Sequence, residues 1–412
     1  MTNLTMDLLF ALAYGNGFVV PGGMVPHSQR SGNGRCATDL DCSLNGLCSS
    51  AHTCVCNKPW SGSACATALF KPVSFPQGYG MAPNLTAWGG GAFYDAATSM
   101  YHAYVHTMNN HCPLRNYRTN SRIDHVVAVS ITGPYSFRDV AVGVDAANSV
   151  PKRLPDGSYA IFHTGDGSKG PNAGPNCSTP SAFSNTTTDT TISFAAPRTK
   201  GSQQIHVSQH LDGPWTALIP NTLPACGNPA PHIHANGTFF IVCQHHLLYR
   251  SSTIHGPWSL VVDLQSIIDG QGGSVLGKYE DPFMYQDSPK NGANWHIVYH
   301  VYNTSEGTQG GKDACINTTV SGHLYSRDGV AWHASGTPPW GPRIALVGGK
   351  AVTVSTRERP YVYFNDAGEM THLFNAVCGN NGDDCAAHTG TGCVDCKYEQ
   401  WDYNLVAPFD LD

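Results

Sequence analysis

The chain is short of charge. Asp, Glu, Lys and Arg make up 13% of its 412 residues, about half the share of an ordinary soluble domain. The basic residues form no block, and the formal net charge is −6. That balance excludes nucleic acid as a partner, because nothing tracks a phosphate backbone. No apolar run reaches the roughly 18 residues that a membrane span needs. Helical periodicity is also missing, which rules out bundles and helical solenoids.

The residues that are abundant point to short strands and many turns. Gly (44) and Pro (27) are plentiful, and hydrophobic residues reach 41%, enough for a substantial core. The length suits one small domain and one large single-core domain. Of the 15 cysteines, six crowd between Cys36 and Cys65; an odd total leaves a thiol free or paired with another chain. Asn-x-Ser/Thr acceptors begin at Asn3, Asn84, Asn176, Asn185, Asn236, Asn303 and Asn317. Together with the cysteine cluster they predict a secreted, extracellular glycoprotein. Residues 1–30 read as a leader segment with an apolar core at Leu8 to Ala13, although Asp7 stands where a basic residue is usual.

Residues 31–68 form the first domain. Its cysteines run Cys36-x5-Cys-x5-Cys-x5-Cys-x-Cys-x8-Cys65, and Gly62 sits in the last loop. Paired Cys-x2-Cys elements are absent, so a zinc site is disfavoured. The pattern resembles an EGF-like module. That resemblance implies bridges Cys36–Cys48, Cys42–Cys54 and Cys56–Cys65, which would stabilise a domain too small to bury much apolar surface. Ser31-Gly-Asn-Gly-Arg35, just before Cys36, holds no acidic residue, so the resemblance does not extend to the calcium-binding subtype. Such modules serve as spacers or adhesion elements, which suggests contact with an extracellular matrix or cell wall.

Residues 80–410 repeat themselves. One half of the repeat is a Ser followed by a turn: Ser130 to Tyr135, Ser208 to Trp215, Ser252 to Trp258 and, without Pro, Tyr325 to Trp332. The other half is a polar residue near Pro or Gly, a strand, a turn and an aromatic-rich strand. Its copies start near Asn84, Asn148, Asn228, Asp281 and Arg359. Five copies of strand-type sequence predict an all-β fold: a five-bladed β-propeller after the small disulfide-rich module. A pair of β-sandwiches is the rival architecture. The later cysteines, including Cys226 and Cys243 around one hairpin and Cys393-Val-Asp-Cys396, read as loop staples.

Tyr279-Glu-Asp-Pro-Phe-Met284 and Arg357-Glu-Arg-Pro-Tyr-Val362, each followed by an aromatic strand, resemble the arabinanase, levansucrase and invertase superfamily, which includes glycoside hydrolase families 43 and 32. The resemblance implies carboxylates at the channel mouth. Glu280, Asp281 and Glu358 are the catalytic candidates, since glycoside hydrolysis uses two carboxyl groups. Strand alternation lets only one of Glu280 and Asp281 face the channel. Arg357 and Arg359 flank Glu358 and suit an ionised carboxylate or an acidic sugar. Asn120, Asn148, Asn228, His125 and His300 are further substrate-binding candidates. Trp88, before three glycines, offers a stacking face. The family's first-blade aspartate has no counterpart, because Asp95 falls in a hairpin turn. No histidine spacing defines a metal site. No cofactor is called for, although a structural calcium in the channel, as some relatives have, is compatible with the pattern.

The function that follows is a glycoside hydrolase acting on a polysaccharide or oligosaccharide. A non-catalytic carbohydrate-binding or adhesion protein is the alternative. A polysaccharide lyase with a His or Tyr base and an Arg is a third reading.

Overall fold

The computed structural model describes residues 35–412 apart from 75–76, 82–84, 113, 178–202, 225, 271–277, 303–319, 355 and 379–401. The leader, the acceptors at Asn3, Asn84, Asn185, Asn303 and Asn317, and Cys315, Cys385, Cys393 and Cys396 lie outside the described residues.

Five antiparallel sheets follow one another in chain order. Blade one is Thr86–Asp95, Met100–Met108, Ser121–Ala128 and Ser136–Val142. Blade two is Ala147–Arg153, Tyr159–Thr164, Gln203–Ser208 and Thr216–Ala217. Blade three is Ala230–Ile233, Phe239–Val242, Leu247–Ser251 and Ser259–Asp263. Blade four is Lys278–Gln286, Trp295–Tyr302, Ser321–Ser326 and Trp332–Ala334. Blade five contributes three strands, Thr356–Phe364, Met370–Cys378 and Asp402–Pro408. The five-bladed β-propeller is therefore present.

The repeat seen in the sequence is the blade itself. In blades one to four the serine turn joins the third strand to the fourth. Ser130, Ser208, Ser251 and Ser326 each accept, through Oγ, the backbone N–H two residues on. In blade three the serine doing this is Ser251, one residue before the expected Ser252.

Blade five is completed by chain from before blade one. Phe70 pairs with Phe409 and Tyr79 with Asn404, both antiparallel. Tyr79 and Asn404 exchange backbone hydrogen bonds of 3.0 and 2.8 Å. Isolated bridges thus tie the early segment to the last strand of blade five and cover part of its edge.

Apolar side chains of adjacent blades interdigitate to form the core. Tyr104, Ile123, Val142, Ile161 and Leu211 fill the space between blades one and two. Phe162, Ile205 and Ile241 do so between blades two and three, and Val242, Leu248, Ile297 and Tyr299 between blades three and four. Phe283, Val298, Tyr361 and Phe374 link blades four and five in a cluster that also holds Cys36, Cys42 and Trp60 of the small module. No helix among the described residues is long and apolar enough to cross a membrane.

The small module has the three bridges implied by its cysteine pattern: Cys36–Cys48, Cys42–Cys54 and Cys56–Cys65. It sits against blade four. Trp60 stacks on His323 at 5.3 Å, Asn294 donates to the Leu44 carbonyl, and Arg327 pairs with Asp39 at 3.2 Å. Two further bridges staple propeller loops, Cys112–Cys177 and Cys226–Cys243.

Candidate active site

At the start of each inner strand one residue takes a left-handed backbone. These are Gly89 (φ 86°), Asn148 (58°), Asn228 (46°), Asp281 (54°) and Arg359 (51°). Asn and Asp accept this region more readily than other side chains, and Arg does so only when held there. The inner strands of blades one, four and five lose register at these points, between Ala87 and Gly90, Glu280 and Phe283, and Glu358 and Tyr361. Each break is a bulge that re-aims side chains. All five residues line one pocket on the propeller axis.

A continuous hydrogen-bond chain runs round this ring. Asn148 Nδ2 donates to Asn228 Oδ1, Asn228 Nδ2 donates to Asp281 Oδ1 at 2.6 Å, and the Arg359 guanidinium donates to the same oxygen. The Arg359 side chain crosses Gly89. A Cβ at Gly89 would lie 2.6 Å from the Arg359 Cβ, so blade one cannot present a side chain here. Asp281 is buried. Burial pushes its carboxyl well above the usual range against the pull of Arg359, and Glu280 and Glu358 add to the rise.

Glu280, Asp281, His300 and Glu358 each place a ligand-type atom within 4.8 Å of the others. His300 lies between the carboxylates, with Nε2 3.8 Å from Glu358 Oε1 and Nδ1 4.0 Å from Asp281 Oδ2. Burial pulls His300 down to about 4, so the ring is neutral near pH 7. Gln244 Nε2 donates to Glu280 Oε2 at 2.9 Å. The Glu358 side chain remains 18% exposed. Burial, with a contribution from Glu358, pushes Asp402 up to about 8. The three carboxylates are the oxygen donors that a hard divalent cation such as calcium takes, but the His300 imidazole is not such a donor, and Arg359 already engages Asp281.

The structure thus gathers Glu280, Asp281, Glu358, Asn148, Asn228, His300 and Arg359 at one place. Glu280 and Asp281 both bring a carboxylate oxygen to this cluster across the bulge at Asp281, and of the two it is Asp281 that lines the axial pocket. Arg357 is a correction. It is buried away from Glu358, donating to Asn375 Oδ1 at 2.9 Å and lying over the Phe70 ring. Arg357 thus turns to Asn375 and Phe70, while Arg359 engages Asp281. Trp88 is a second correction: its ring is 3% exposed and packs on Ala376 and Leu114, so it offers no stacking face. Asn120 is a third. It is buried in a loop junction, donating to Asn109 Oδ1 and the Pro175 carbonyl beside the Cys112–Cys177 bridge. His125 is a fourth, in blade one's third strand. Its Nε2 meets His102 Nδ1 at 2.9 Å, and its Nδ1 lies 3.3 Å from Asp139.

That histidine contact recurs. His163 meets His206 at 2.8 Å and His296 meets His323 at 3.0 Å, each pair joining second and third strands of one blade. Six of the histidines are thereby accounted for as structural links. His102, His125 and Asp212 also form a metal-type cluster. Asp95 caps its hairpin turn, accepting from Ala97 and Thr98, as the sequence indicates. Sequence reasoning missed Asp402 and Gln244. Neither sits in a motif: Asp402 comes from blade five's third strand, and Gln244 from the turn before blade three's third strand.

No protein-family model and no curated protein matches the chain. Solved structures with some likeness include the endo-arabinase from Bacteroides thetaiotaomicron, 12% identical, covering 84% of this chain and 98% of that one at a TM-score of 0.44. A family 117 glycoside hydrolase of the marine bacterium Zobellia galactanivorans is 12% identical, covering 84% and 90% at 0.44. A family 43 enzyme from Xanthomonas citri complexed with xylose is 10% identical, covering 83% and 90% at 0.45. The five-bladed architecture is read from this chain's own sheets.

Proposed function

We propose that the chain is a secreted glycoside hydrolase acting on a polysaccharide or oligosaccharide at the mouth of the propeller channel. The observation that carries this reading is the grouping of Glu280 and Glu358, half-buried and with carboxylate oxygens within 4.8 Å of each other, around the buried Asp281. Two carboxyls that close leave no room for a water between them. Inverting enzymes hold theirs about 6.5–9.5 Å apart and retaining enzymes about 5 Å apart, so the spacing favours retention. Glu280, oriented by the Gln244 amide, is the nucleophile. Glu358 is the acid/base, protonating the departing oxygen and then activating water. Asp281 and Arg359 position the pair without touching the sugar ring. Asn148 and Asn228 belong to the same ring and hold Asp281 in place.

A binding-only reading is favoured by one observation: the Arg359 side chain fills the place where blade one would supply a group. The test is product analysis on a panel of neutral and acidic glycans. New reducing ends without unsaturated products support hydrolysis, and unsaturated products would indicate a lyase. Binding without any turnover would leave a carbohydrate-binding propeller. The exposed acceptors Asn176 and Asn236 and the five disulfides among the described residues support the secretory route; mass spectrometry of the protein from a eukaryotic host checks for glycans at both.

A further inference from the structure

A second cleft, of about 360 Å³, lies where the small module meets the turns that end the inner strands of blades four and five. It is remote from the carboxylates. Glu280 is near one end of the strand Lys278–Gln286 and Tyr285, near the other, lines the cleft; five residues of strand at ~3.3 Å each put roughly 16 Å between them. The volume is within the range of small-molecule sites.

Its wall contains polar groups that the protein leaves without a partner. Tyr285 and His296 are 3% and 1% exposed. The Tyr285 hydroxyl and Ser288 Oγ have no hydrogen bond among the described residues, whereas His296 Nε2 lies 3.5 Å from Asp287 Oδ2. Leaving such groups unpaired costs of order a kilocalorie or more apiece, so each needs an explanation. The charged groups of the same wall are engaged. Lys290 pairs with Glu369 at 3.0 Å, Lys58 donates to the Asp412 carbonyl, and Asp287 accepts from the Asn294 N–H at 2.6 Å. What remains to be satisfied is therefore neutral: the hydroxyls of Tyr285 and Ser288. The half-buried Phe364 and Met370 give the cleft an apolar side. An uncharged ligand rich in hydroxyls, with one C–H face, matches this wall; an ion does not.

We propose that this cleft is a second carbohydrate-binding site, formed jointly by the small module and the propeller, which takes a neutral sugar through Tyr285 and Ser288. The module is then part of a binding wall as well as a spacer. Bound here, a chain of sugars is anchored on the face opposite the carboxylates. The inference stands apart from hydrolysis at Glu280 and Glu358.

The full chain carrying Glu358→Gln is titrated by calorimetry with D-galactose, D-xylose, L-arabinose, lactose and cellobiose, and hydrogen exchange is followed with each. At least one sugar is expected to bind and to slow exchange in the turn 287–294. Tyr285→Phe with Ser288→Ala, added to the same chain, should weaken that binding about tenfold, the effect of losing hydrogen bonds to a ligand. Its melting temperature should not fall, because the groups removed have no partner in the free protein. The proposal is overturned if none of the five sugars binds, if protection appears only around residues 280 and 358, or if the double variant binds as before. Because Glu358 is already disabled, a failure of the hydrolytic reading leaves this result unaffected.

Discussion

Replacing Gly89 by alanine tests the channel ring, and the structure supplies its own control. Gly89 and Gly157 share nearly the same left-handed backbone, φ 86° and 88°. An alanine at either pays about 1–2 kcal/mol for that conformation. At Gly157 the new methyl meets nothing within 4 Å, whereas at Gly89 it would stand 2.6 Å from the Arg359 Cβ and 2.9 Å from its Cγ. Overpacking of that kind adds about 1–3 kcal/mol. Gly157→Ala should therefore cost about 1–2 kcal/mol and Gly89→Ala about 2–5. At roughly 2 °C per kcal/mol for a chain of this size, thermal melts should fall by about 2–4 °C and 4–10 °C. Only Gly89→Ala should also displace Arg359 from Asp281 and reduce activity. Equal melts for the two variants, or a Gly89→Ala protein with full activity, would refute the argument that Arg359 occupies blade one's place in the ring.

Acid should destabilise the fold through its buried histidines. Burial pulls His163 down to about 3 and His206 to about 4, so between pH 6.5 and those values the unfolded chain binds protons that the folded chain refuses. Stability is therefore full above pH 6.5 and falls below it, by about 2 kcal/mol per residue at pH 5; His206→Gln should flatten the pH dependence of the melting temperature. Removing the Cys112–Cys177 bridge, whose cysteines are 65 residues apart, should cost about 4 kcal/mol on the loop-entropy model, read by denaturant melts of a Cys112→Ser, Cys177→Ser protein. Asp402, held up near 8 by burial and by Glu358, is protonated at neutral pH and gains a charge above it. Asp402→Asn should leave activity at pH 7 within a few-fold and move the alkaline limb of the pH–rate profile upward.

The fold was largely legible. The five strand-turn repeats correspond to the five blades, and the cysteine spacing to three observed bridges, because turn residues and disulfide frameworks act over short stretches of chain. Closure of blade five by Phe70 and Tyr79 was not legible, since the pairing with Asn404 and Phe409 spans nearly the whole chain. In the site, residues next to Pro in the repeat, Asp281 and Arg359, fell where the pattern put them. The errors have local causes. The bulge that brings Glu280 and Asp281 to the same cluster was not legible, because a left-handed residue in mid-strand leaves no mark in a period-two pattern. His125 and Asn120 were chosen for chemistry alone, and their partners, His102 and the Pro175 loop, are set by tertiary contacts. Arg357 was assigned to Glu358 as a sequence neighbour, but the strand sends it to the opposite face, over Phe70.

The central claim is that Glu280 and Glu358 act as one hydrolytic pair, and the most direct test is a double-mutant cycle on reducing-end release. Each of Glu280→Gln and Glu358→Gln should lower the rate by about 10²–10⁴-fold. The double variant should be scarcely slower than the worse single, because groups that act on one bond as a unit are not additive. Activity within a few-fold of the parent in either single variant, or losses that multiply in the double, would contradict the account.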